Sequence, residues 1–69
     1  MTTEAKQLIE FATQDLIAEI VDKESLSISE AMKKLYHSEF FKQLTNPDLG
    51  LYRESGAYLY NAYIDHSAI

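Results

Sequence analysis

Residues 4–23 have the sequence EAKQLIEFATQDLIAEIVDK. Apolar residues recur in this stretch at steps of three and four, which is the spacing of one face of an α-helix. The members of that face are Ala5, Leu8, Ile9, Ala12, Leu16 and Ile20. Thr2 or Thr3 can cap the start, because a threonine hydroxyl accepts a hydrogen bond from a free N–H of the first turn. The pattern predicts a long first helix over residues 4–23.

A second apolar set lies on the same helix but off that face, because each residue turns about 100° around the axis. Its members are Phe11, Ile17, Ala18 and Val21. One small core cannot cover both faces. The excess predicts that part of the first helix packs against something outside a single copy of the chain.

A second helix is predicted to begin near Ile28. Ser27-Ile28-Ser29-Glu30 has the spacing of a capping box, in which the serine hydroxyl and the glutamate carboxylate each satisfy a backbone N–H at the helix start. The apolar stripe that we expect to face the first helix is Ile28, Ala31, Met32 and Leu35, with Tyr36 alongside.

Residues 28–44 form either one helix or two. Ser38 can serve as a further cap, so the chain either changes direction at His37-Ser38 or continues as one helix through Leu44. We favour the break, followed by a short third helix that carries Phe40, Phe41 and Leu44. This helix must end before Pro47, because proline disfavours the α conformation in its predecessor.

Residues 46–50, Asn-Pro-Asp-Leu-Gly, have turn chemistry throughout and form the main loop. We expect Leu51 and Tyr52 to return to the core, and Ser55 to cap a last helix over about residues 56–66. In that part of the chain we assign Tyr58 and Tyr63 to the core, and Tyr52 and Tyr60 to an interface. The predicted fold is all-α, a compact bundle of three to four short helices in a single domain, residues 1–69.

Composition supports a folded chain with a thin core. Of 69 residues, 46% are hydrophobic and 25% are charged, with no cysteine. A single core of this size supplies only about 3 to 5 kcal/mol, and without disulfides the remaining route to stability is association. No apolar run approaches a membrane span and the start lacks signal-peptide features, so we expect a cytoplasmic protein with no membrane partner.

The charge disfavours nucleic-acid binding. The net charge is −5, and most of the excess lies in residues 1–25. Nucleic-acid affinity depends on neutralised phosphates, which an acidic chain supplies poorly. The alternative function is a small DNA-binding regulator of helix-turn-helix type, in which helices two and three form the motif. Only Lys42 and Gln43 of the third helix suit base contacts, and Glu39 opposes them.

No catalytic, cofactor or metal site is predicted. His37 and His66 lack a second ligand at helical spacing, and the serines stand where caps and turns need hydroxyls. A chain of this length is also expected to have too little volume for a pocket of about 300 Å³. We therefore expect neither enzymatic activity nor a small-molecule ligand.

The surplus apolar faces predict a protein-interaction module. The leading expectation is a two-fold homodimer, because it covers both faces with the commonest oligomer symmetry. The alternative partner is another protein with a basic face that complements the acidic surface. The predicted interface residues are Ile17, Val21, Tyr52, Arg53, Tyr60 and Ile64.

Residues 27–58 carry a family resemblance. The order of features is Ser27-Ile28-Ser29-Glu30-Ala31, then Tyr36, Ser38 and Phe41, then Pro47-Asp48-Leu49-Gly50-Leu51-Tyr52, then Glu54-Ser55 and Tyr58. In this order the chain resembles a group of short uncharacterised bacterial helical proteins. The resemblance implies a small bacterial helical protein from toxin–antitoxin-like or regulatory gene neighbourhoods, and it carries over no functional residue.

Overall fold

Four α-helices account for most of the chain. They are α1, Thr3–Glu24; α2, Ile28–Tyr36; α3, Glu39–Leu44; and α4, Gly56–Ser67. Two short 3-10 helices, Pro47–Leu49 and Leu51–Arg53, connect α3 to α4. The computed structural model describes residues 3–67, for Ser67 the backbone alone, and this part of the chain holds no strand. The prediction of an all-α bundle is confirmed.

The first helix extends one residue beyond each end of the predicted range. Thr3 is its first helical residue, and Thr2, the other candidate cap, lies outside the described residues. Ser25 follows the last turn with a φ of 55°, the left-handed conformation that commonly ends a helix. The chain then turns back into α2.

Serine caps begin the other three helices, as predicted. The Ser27 hydroxyl accepts from the N–H of Glu30 at 3.1 Å, and the Glu30 carboxylate accepts from the N–H of Ser27 at 3.2 Å. Ser38 caps α3 by accepting from the N–H of Phe41 at 3.3 Å. Ser55 accepts from the N–H of Tyr58 at 3.2 Å. The cap at Ser38 ends the ambiguity over residues 28–44, which form two helices.

The core lies along one side of α1 and is closed by the three shorter helices. Phe40 of α3 and Tyr63 of α4 meet edge to face, with ring centroids 6.0 Å apart. Leu51 and Tyr52 are partly buried against this core, as expected from the sequence. The clustered core residues are Ala12, Leu16, Ile17, Ile20, Ala31, Leu35, Phe40, Leu44, Leu59 and Tyr63.

Two neighbours flank α1 on opposite sides. Ile28 of α2 lies beside Ala18 and Val21. On the other side, a Cβ on Gly56 of α4 would stand 3.3 Å from the Cβ and carbonyl oxygen of Asp15. Asp15 and Val21 project about 120° apart around the helix axis, at 100° per residue. The side of α1 that carries Phe11, Gln14 and Ala18 is exposed to solvent.

Candidate functional site

The structure places Ile17 in the core of the chain, which leaves little of its side chain for the interface predicted from the sequence. Its side chain is 3% exposed and belongs to the main hydrophobic cluster. The residue lies between the two apolar faces predicted on α1, and it also lines a concave region beside Ala18 and Val21. Val21, one turn later, is partly buried and remains at the edge of the exposed surface.

Tyr60 is held in a polar network at the end of α1. Its hydroxyl donates to a carboxylate oxygen of Glu24 at 3.1 Å, and the Lys23 ammonium lies 5.4 Å from its ring centroid. Lys34 of α2 also pairs with Glu24. Burial, and then the hydrogen bond to Glu24, raise the pKa of Tyr60. The network joins α1, α2 and α4, so Tyr60 has a structural role whether or not it also touches a partner.

The remaining predicted interface residues are on or just before α4. The Arg53 guanidinium lies 5.6 Å from the ring centroid of Tyr52, in a cation–π arrangement. Ile64 is an exposed apolar side chain. Tyr60 meets the end of α1 at Glu24, three residues after Val21. Because Ile17 is buried in the core, the six predicted residues do not all belong to one exposed surface.

Two tyrosines of α4 were assigned to the core, and the structure confirms one of them. Tyr63 is buried, and burial raises the pKa of its hydroxyl. Tyr58 is 52% exposed, so its assignment to the core is wrong. The two residues are five positions apart and project about 140° from each other, which allows only one of them to face the core centre.

A groove of about 500 Å³ runs beside the N-terminal half of α1. The expectation that the chain has no volume for a pocket is therefore wrong. Ile9 and Thr13 lie on the α1 side, and Tyr36 and Phe41 lie on the side of the α2–α3 corner, with their ring centroids 4.9 Å apart. Phe11 is at the rim and is 63% exposed.

A second concave region of about 250 Å³ continues from the first along α1. Gln14 lines both regions, and Ile17, Ala18, Val21 and Ile28 complete the second. Ile28 is 64% exposed although it lies on the predicted inward stripe of α2, because the first helical residue extends past the end of the core. We call the two regions together, from Lys6 to Val21 on α1, the α1 groove.

The sequence signal for the α1 groove was the second apolar set on α1. That set was Phe11, Ile17, Ala18 and Val21. Phe11, Ala18 and Val21 lie along one stripe of the helix, and the polar Gln14 lies on the same stripe between Phe11 and Ala18. The sequence places Tyr36 beside the α2 stripe that faces α1, but it does not show that Phe41 lies next to Tyr36. Phe41 follows the change of direction at Ser38, which a helical pattern within α1 or α2 does not describe.

Polar chemistry in the α1 groove is sparse. The Thr13 hydroxyl donates to the carbonyl of Ile9 at 2.8 Å and is thereby satisfied within α1. Lys6 and Glu10 supply one charge of each sign at the edge. Over residues 3–67 no three histidine, cysteine, aspartate or glutamate side chains are grouped so as to hold a metal ion. An apolar surface with a charged margin suits the binding of another polypeptide.

Comparisons with family models, with curated proteins and with solved structures gave no match. The function of the site is therefore inferred from its own geometry. Among the described helices, none combines the length and apolarity that crossing a membrane requires.

Proposed function

We propose that this protein is a protein–protein interaction module without catalytic activity of its own, and that its contact surface is the α1 groove. The observation that carries the proposal is the pair of large apolar side chains at its rim, Phe11 and Ile28, both more than 60% exposed. Complete burial of such a side chain is worth about 1.5 to 3 kcal/mol. A partner that covers the α1 groove gains this free energy.

Two kinds of partner fit the proposal. A second copy would cover the apolar surface by two-fold symmetry, and the thin core of a 69-residue chain would benefit. A different protein with a basic face would also be attracted by the net charge of −5. Both place the same apolar stripe of α1 at the contact.

The competing function is DNA binding by a helix-turn-helix formed by α2 and α3. The two helices are separated only by His37 and Ser38, which is the observation in its favour. However, α3 has six residues, and its Lys42 lies 3.2 Å from the Glu39 carboxylate, which competes with phosphate. A DNA mobility-shift assay separates the classes, because true phosphate contacts weaken steeply as salt rises.

Site-specific photo-crosslinking in the protein's own cells tests the interaction function. Benzoylphenylalanine in place of Phe11 keeps an aromatic side chain at the rim of the α1 groove. The matched control carries the same group at Glu54, an exposed position between the second 3-10 helix and α4. We expect protein adducts from position 11 and few from position 54. Equal adduct yields at both positions, or none at position 11, would remove the α1 groove as the contact surface.

A further inference from the structure

We propose, as an extension of the interaction function above, that the α1 groove binds an amphipathic helix of a partner protein, with an apolar stripe and lysine or arginine along its edge. Helix-in-groove docking is a recurring mode of recognition. The shape, the lining and the charge of the surface each support this occupant.

The shape of the α1 groove matches a helix. It extends from Lys6 to Val21, which is about 22 Å at 1.5 Å per residue. A helix of about 15 residues has this length. One wall is α1 and the other is formed by Ile28 and Tyr36 at the two ends of α2, with Phe41 beyond. A third helix placed between these walls completes a packing layer of the kind found in helical bundles.

The lining supplies anchor positions at helical spacing. Phe11 and Ala18 stand one heptad apart on α1, with Gln14 and Val21 between and beyond them. A stripe with this repeat packs against a matching stripe on a facing helix. The paired rings of Tyr36 and Phe41 provide an aromatic end to the same surface. Aromatic residues of this kind supply much of the binding free energy at protein interfaces.

Lys6 is the one base among the described residues that line the α1 groove, and the acids of α1 outnumber it along the margin. Glu19 and Glu24 of α1 are ion-paired with Lys23 and Lys34. The other four acids of α1 form no ion pair within the described residues; they are Glu4, Glu10, Asp15 and Asp22. Glu10 lines the α1 groove itself, and Asp22 projects about 40° from Ala18. Lysine or arginine on the incoming helix can pair with these carboxylates.

The same acids disfavour a second copy at this site. α1 carries six acids and two lysines, so two copies packed face to face along this helix would bring together two surfaces of net negative charge. Like charges juxtaposed across an interface oppose association. A basic partner helix turns this repulsion into attraction, which is why we favour it over the homodimer as the occupant of the α1 groove.

Fluorescence anisotropy with a designed peptide tests the proposal. The probe is a labelled helix of about 16 residues with leucines at i, i+4, i+7 and i+11 and lysines beside that stripe. One control peptide carries glutamate in place of lysine, and another has the same composition with the leucine stripe scrambled. We expect only the first peptide to bind tightly. Equal affinity for either control peptide, or no binding of the first, overturns the proposal.

Variants of the protein locate the binding. Phe11→Gln should weaken binding about tenfold or more, as loss of an aromatic anchor does. Tyr58→Gln, an exposed aromatic on α4, should leave affinity unchanged.

Glu10→Gln with Asp22→Asn should weaken binding about tenfold at low salt. Asp48→Asn with Glu54→Gln removes the same charge elsewhere and should have little effect. Equal losses in the two charge variants would mean that overall charge attracts the peptide, and the proposed site is then wrong.

The crosslinking experiment keeps the two proposals distinguishable. Adducts from position 11 to another protein, without peptide binding, leave the interaction function in place and overturn the basic helix as occupant. Adducts between two copies of this chain identify a homodimer at the α1 groove and overturn the partner proposed here.

Discussion

The Tyr60 hydroxyl connects α4 to the end of α1, and its removal isolates one hydrogen bond. Tyr60→Phe keeps the ring that packs on the core and deletes the donor to Glu24. Glu24 keeps its pairing with Lys34, so no carboxylate is left without a partner. We expect the free energy of unfolding to fall by about 1 kcal/mol, measured by urea denaturation.

The matched control for that substitution is Tyr58→Phe, on the same helix. Tyr58 is exposed, and its only hydrogen bond to Ser55 uses the backbone N–H. The free energy of unfolding of this variant should stay within about 0.5 kcal/mol of the parent. If the free energy of unfolding falls equally in both variants, the Tyr60–Glu24 hydrogen bond makes no stabilising contribution of its own.

At the scale of elements, the position of α4 depends on the absence of a side chain at Gly56. A Cβ there would lie 3.3 Å from the Asp15 carbonyl oxygen, which is fixed within α1. Gly56→Ala gains helix propensity, but its Cβ is close enough to Asp15 that α1 or α4 must shift by a few tenths of an ångström. We expect a net loss of about 1 kcal/mol in the free energy of unfolding.

A second glycine gives the comparison for Gly56→Ala. Gly50 has a φ of +69°, and a Cβ there would meet nothing within 4 Å. Its substitution costs stability through backbone conformation alone, about 1 kcal/mol for alanine. Asparagine tolerates the left-handed region, so Gly50→Asn should recover much of that loss. Gly56→Asn should instead lower the free energy of unfolding more than Gly56→Ala does. The opposite order would contradict the proposed α1–α4 contact.

Helix boundaries were predictable because the signals that set them are local. The capping box at Ser27 and the serines at positions 38 and 55 each satisfy a backbone N–H three residues away. Pro47 ends the third helix by its own covalent geometry. Such features need no knowledge of tertiary packing, and the structure places each of them as the sequence indicated.

The assignment of faces was less predictable because it depends on how the helices cross. Tyr58 and Tyr63 both occur in a mostly apolar helix, and which of them turns inward depends on how α4 packs against the other helices. Ile17 is likewise buried although it belongs to the second apolar set of α1, because its burial depends on the neighbouring helices. The α1 groove combines three helices, so no single helical pattern could show it.

At the scale of the whole molecule, the core and the α1 groove are linked through α1. The same helix supplies Leu16 and Ile20 to the core and Phe11 and Ala18 to the exposed surface. A ligand that binds only the folded chain raises its stability by mass action. Occupation of the α1 groove should therefore stabilise the whole fold, which offers a way to detect a partner from thermal unfolding alone.

High pH should destabilise the fold through four groups that titrate in the same direction. Burial raises the pKa of Tyr60 and Tyr63, and hydrogen bonds to Glu24 and Glu19 raise the pKa of Lys34 and Lys23. A raised pKa means that the folded state holds the proton more tightly than the unfolded state. The stabilisation is complete below the ordinary values of about 10 to 10.4 and is lost as pH rises through the raised values.

We therefore expect the free energy of unfolding in urea to fall as the pH is raised from about 9 to about 11. Tyr60→Phe removes one of the four groups and should make this fall shallower. Losing ammonium charge also makes the acidic chain more negative, and self-repulsion of that kind is screened by salt. A decline that disappears entirely at high salt would assign the effect to net charge and to the exposed ion pairs of Lys23 and Lys34, which salt also screens. A decline that persists would locate it in the hydroxyls of Tyr60 and Tyr63.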